Sequence, residues 1–132
     1  MHSNILQTIN YYCTSEMDLF KKSKYFLEII KLSNILDVSV CSSFDKILIS
    51  NKYPQTLYLG ISVVDKQGKT LVVDMLDYEH LSYATDIVKI DRKGRISFRS
   101  WSEDEDFIET MEWIIEELKN KITQKLGDNF LP

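Results

Sequence analysis

Between residues 105 and 127 the chain reads "EDFIETMEWIIEELKNKITQKLG", and no other segment restricts the fold so tightly. Phe107, Ile108, Met111, Ile114, Ile115, Leu118, Ile122 and Leu126 fall on one stripe at about 100° per residue, and Gly127 follows as a helix stop. Burying each of these side chains contributes roughly 1.5–3 kcal/mol before entropy is counted. A helix of this kind therefore needs an apolar surface to lie across.

The middle of the sequence supplies one. "KILIS" (46–50) and "TLYLGISVV" (56–64) are rich in β-branched and aromatic residues, and the intervening "NKYP" carries a proline that prevents one continuous element. Two further stretches resemble each other: "VVDKQGKTLVV" (63–73) and "VKIDRKGRISF" (88–98). In each, an Asp able to bond the backbone two residues on precedes a Gly able to take positive φ, which predicts two β-hairpins. Between them, residues 77–85 fit either a helical turn or a loop.

Upstream, Ile5, Leu6, Ile9 and Tyr12 or Cys13 recur at helical spacing behind Ser3. A second helix is expected from Ser15 to about Asn34, with Leu19, Phe20, Phe26, Leu27 and Ile30 on one face. The fold class that follows is α+β over a single domain, residues 1–132. N-terminal helices precede an antiparallel sheet of four to five strands built from two hairpins, and the long C-terminal helix packs on one face. Phe130 and Leu131, after the helix stop, are expected to fold back or to meet a partner. A chain of 132 residues with 44% hydrophobic content suits one core rather than two.

Several function classes lack a sequence basis. There is no basic leader and no run of 18 apolar residues, so a cytoplasmic protein that does not enter a membrane is the expectation. Cys13 and Cys41 form no CxxC pair and predict reduced thiols rather than a disulfide framework or a zinc site. No glycine-rich phosphate loop occurs. Asp74, Asp77, Glu79 and His80 are the only cluster of types suited to metal or acid–base chemistry, and a polar connection explains their spacing. A Cys41/His80 dyad has nothing to orient it. No enzyme activity, cofactor or metal is therefore expected.

Charge is more informative. The net charge is −4, and residues 103–117 hold eight acids without one base. Ser102 and Glu105 have capping-box spacing, and acids in a first turn favour the helix dipole, which accounts for Glu103 to Asp106. Glu109, Glu112, Glu116 and Glu117 lie beyond that turn. Trp113 falls outside the apolar stripe, flanked by Glu109, Glu116 and Glu117 at i−4, i+3 and i+4.

An exposed tryptophan among glutamates is suited to anchoring a basic protein, since tryptophan is frequent among binding hot spots and acids steer basic partners. The expected function is a small acidic protein-binding module, an inhibitor of the immunity-protein or antitoxin type that covers a basic partner such as a nuclease. Two alternatives differ in class. Arg92, Lys93, Arg95 and Arg99 with Trp101 could form a nucleic-acid platform, although a pI near 5.2 argues against it. A homodimeric scaffold could instead bury Trp113 against its symmetry mate.

Overall fold

The computed structural model describes residues 2–42, 48–49, 55–64, 81–127, 129 and 131. In chain order the elements are α1 (His2–Lys21), α2 (Lys24–Leu36), β1 (Ser39–Ser42), β2 (Leu48–Ile49), β3 (Gln55–Val64), β4 (Ser82–Ile90), β5 (Ile96–Phe98), a 3-10 turn (Trp101–Glu103) and α3 (Glu105–Leu126). The architecture is the expected mixed α+β one, with helices on one face of an antiparallel sheet.

The two N-terminal helices divide later than the sequence suggested. The first runs unbroken through Ser15, because Ile9, Cys13, Met17 and Phe20 keep one helical phase and are all buried. The break comes at Lys22 and Ser23. The Ser23 hydroxyl donates to the Phe20 carbonyl at 2.6 Å and accepts from the Phe26 N–H at 3.3 Å, closing α1 and opening α2 with one group. Beyond it the buried positions are Ile29, Leu32 and Ser33, whereas Leu19 and Leu27, expected to be core, are more than half exposed. Asp37 ends α2 in the left-handed region at φ 61°, its N–H turned back to the carbonyls of Ser33 and Asn34.

The sheet has the order β1-β3-β4-β5, with β2 also paired to β3, and every pairing is antiparallel. β3 is the spine. Along it Leu57, Leu59, Ile61 and Val63 are buried at alternate positions, which directs one row of side chains into the helical layer. The β4–β5 hairpin forms as predicted: Gly94 stands at φ 76°, and the Asp91 carboxylate accepts the N–H groups of Lys93 and Arg95, each at 2.9 Å. The turn predicted at residues 65–68 and the predicted strand 69–73 lie outside the described residues. Over Gln55–Ser62 the partner of β3 is Ser82–Ile90, so residues 82–85 are strand rather than helical turn or loop.

The C-terminal helix carries the predicted stripe. Phe107, Met111, Ile114, Leu118 and Ile122 are fully buried, Ile108 and Ile115 are half-buried, and Leu126 is exposed near the end. Its cap is Asp104 rather than Ser102. One Asp104 oxygen accepts from the N–H groups of Asp106 and Phe107, at 3.0 and 3.2 Å, and Ser102 sits instead within the preceding 3-10 turn, capped by Ser100. A capping box would need the helix to begin two residues earlier, and the 3-10 turn occupies that length. Phe20, Trp101 and Phe107 form the aromatic centre of the core, with ring centroids 5.4–6.0 Å apart. Leu131 packs against this core, while Phe130 lies outside the described residues.

Candidate functional site

The solvent face of α3 is an acidic arc. At about 100° per residue, Glu112, Glu116, Glu109, Trp113 and Glu117 succeed one another around the side of the helix turned from the core. Glu109, Glu112 and Glu116 are exposed and Glu117 is half-buried. Trp113 is 40% exposed, so the one tryptophan outside the apolar stripe does present its ring at the surface. Among the described residues Glu109, Glu112 and Glu117 make no ion pair, and Glu116 meets Lys119 only at 3.8 Å. Among the described residues these acids are thus largely without compensating partners, and together they make the exposed face of α3 negative.

A feature that the sequence did not reveal borders this arc. Where α2 and α3 lie side by side on the sheet, they enclose a groove of about 450 Å³ lined by Lys24, Tyr25, Glu28, Glu112, Ile115 and Glu116. Tyr25 and Ile115 supply its apolar lining, and three carboxylates and one ammonium its charged lining. Glu112 and Glu116, singled out from spacing along α3, are brought together with Glu28 from the other helix. Helical periodicity within one element carries no signal for such a pairing between elements.

The basic hairpin is organised differently from the expectation. Trp101 is only 6% exposed, buried edge-on against Phe20 and Tyr25, so it offers no stacking surface beside Arg92, Lys93, Arg95 and Arg99. Strand alternation does not carry past Phe98, where β5 ends, and the chain then turns inward. Glu16, itself buried, holds that turn by accepting from the Ser100 hydroxyl at 2.9 Å and from the Trp101 N–H at 3.1 Å. Two of the arginines are engaged locally: Arg95 pairs with Asp91 at 2.7 Å, and Arg99 bridges Asp86 at 3.2 Å and Asp104 at 3.0 Å. Arg92 and Lys93 are exposed at the hairpin tip.

Asp74, Asp77, Glu79 and His80 lie outside the described residues. Among the described residues no group of His, Cys, Asp or Glu could hold a metal ion, and no helix is long and apolar enough to cross a membrane. Cys13 is buried, and burial together with the nearby Glu16 charge pushes its thiol up to about 11, while Cys41 is exposed on β1. The Tyr12 hydroxyl is likewise pushed up to about 12, by burial first and then by Glu16.

In comparisons with protein-family models, curated proteins and solved structures, nothing matches this chain. The functional reading rests on the surface alone.

Proposed function

We propose that the protein is a small acidic binding module that occupies a basic protein through the exposed face of α3. Trp113 is the anchor, and Glu109, Glu112, Glu116 and Glu117 supply the charge. The observation that carries this reading is the 40% exposure of Trp113 amid glutamates of which three make no ion pair among the described residues. A half-exposed indole can lose further surface to a partner, and the unpaired carboxylates raise the encounter rate with a positively charged one.

Inhibition of a basic enzyme, in the manner of an immunity protein or antitoxin, suits such a surface, because a nuclease must present positive charge to hold its substrate. The buried position of Trp101 and the local pairing of Arg95 and Arg99 leave the nucleic-acid reading with less support.

The test is affinity capture with the purified protein as bait, followed by reconstitution with the purified, identified partner. A basic protein should bind the wild type, with an affinity that falls as salt rises. It should be lost on Trp113→Ala and on Glu109→Lys/Glu116→Lys, and its own activity should be suppressed on binding. Equal capture by all three proteins defeats the proposal. Sedimentation as a dimer that Trp113→Ala dissociates would point instead to a homodimeric scaffold.

A further inference from the structure

Resting on that functional reading, we infer that the groove between α2 and α3 is the seat for an arginine side chain presented by the basic partner. The groove combines the three things a guanidinium selects. Carboxylates approach from both walls, Glu28 from α2 and Glu112 and Glu116 from α3, and neither Glu28 nor Glu112 has an ion pair among the described residues. Ile115 gives the floor an apolar strip against which an aliphatic stem can lie. Tyr25 gives an aromatic wall that already faces a cation: the ammonium of Lys24 lies 5.1 Å from its ring centroid.

The position of that ring is fixed from inside the molecule. Tyr25 stands edge-on to the buried Trp101 at 6.5 Å with an interplanar angle of 88°, and packs partly buried against the core. Lys24 is exposed on the first turn of α2 and can swing away when a stronger cation arrives. A guanidinium is the better occupant than an ammonium, because it stacks flat on an aromatic face while its fork of N–H groups meets carboxylates two at a time. The groove, at about 450 Å³, lies within the range of pockets that enclose small ligands.

The experiment is a titration of the isotope-labelled full chain with tri-arginine amide and, separately, tri-lysine amide at matched ionic strength, read by amide shifts in two-dimensional NMR. Shifts should centre on Lys24–Glu28 and on Glu112–Glu116, with tri-arginine binding roughly threefold or more tighter than tri-lysine. Glu112→Gln/Glu116→Gln, which preserves helix-forming side chains, should weaken tri-arginine by about tenfold. Shifts centred on Glu103–Glu109, or equal affinity for both peptides that the double variant leaves unchanged, would mean diffuse attraction and overturn the inference.

Failure here is distinguishable from failure of the functional proposal, because Glu109 and Trp113 lie outside the groove. If tri-arginine ignores the groove while Glu109→Lys or Trp113→Ala still abolishes partner capture, the groove falls and the module stands. If tri-arginine seats as described and no basic protein binds, the groove stands and the module falls.

Discussion

The hydroxyl of Thr85, in the middle of β4, donates to the carboxylate of Asp104, the cap of α3, at 2.5 Å. That bond joins the sheet to the helix that carries the candidate surface. The same Asp104 oxygen pairs with Arg99 at 3.0 Å, and Arg99 reaches back to Asp86 on β4 at 3.2 Å. One carboxylate thus starts the helix and ties it to the strand beneath.

Removing this tie should cost stability in two steps. Thr85→Val keeps the shape and loses the donor, for an expected loss of about 1 kcal/mol. Asp104→Ala also removes the cap and leaves Arg99 with Asp86 alone, and should cost about 2–3 kcal/mol. Chemical denaturation with an unchanged slope and a shifted midpoint would measure both.

Asp104 also sets an acid limit. Burial pushes its carboxyl up, but the bonds from Thr85 and from the Phe107 and Asp106 N–H groups, together with the Arg99 charge, outweigh burial and hold it below the ordinary carboxylate value. A depressed native pKa means stability that is complete above the unfolded value, about 3.9, and disappears as pH falls through the native one. The stability difference between wild type and Asp104→Asn should therefore be constant at neutral pH and shrink below about pH 4. A difference that is unchanged from pH 7 to pH 3 would show that Asp104 is not held ionised by these partners.

The two tryptophans should separate spectroscopically, since Trp101 is 6% exposed and Trp113 is 40% exposed. Trp113→Phe is expected to leave blue-shifted emission that acrylamide quenches severalfold less than in wild type. Trp101→Phe should leave the red-shifted, quenchable component and lower the melting temperature. Equal quenching of both single-tryptophan proteins would contradict the placement of Trp113.

Thiol titration gives a further check. Cys41 is exposed on β1 and should react promptly with an aromatic disulfide reagent at pH 8. Cys13 is buried with its thiol pushed up to about 11, so it holds almost no thiolate there and should react only on unfolding. Two fast thiols would mean that α1 opens readily.

The parts of this fold that were legible in the sequence are those governed by a local period or a local turn. The stripe of α3 spans five buried positions from Phe107 to Ile122 in a single phase, and the Asp91–Gly94 turn carries its own hydrogen-bond chemistry. The α1–α2 junction was legible in principle. From Ile9 to Phe20 the buried positions keep one phase, and Ile29 and Leu32 fall on the opposite side of that continued helix, which places the break near Ser23. Ser15 is an acceptable cap by type, but it lies within the unbroken phase of α1.

The candidate site divides in the same way. Trp113 and its glutamates follow from spacing within one helix, whereas the place of Trp101 does not follow from strand alternation, because β5 ends at Phe98. The contributions of Tyr25 and Glu28 depend on how two helices lie together, which no period within either one encodes.

Glu16 meets the Trp101 backbone across 85 positions of chain. A ribosome adding roughly 5–20 residues each second needs on the order of ten seconds to make that separation. During this interval α1 has no indole to cover and no turn to hold, and contacts with α2, such as Phe20 on Phe26, are the first open to its stripe of Ile9, Cys13, Met17 and Phe20. The contact of α1 with the Trp101 turn is thus made later than its contact with α2, and the junction at Ser23 comes together before the site that Glu16 completes.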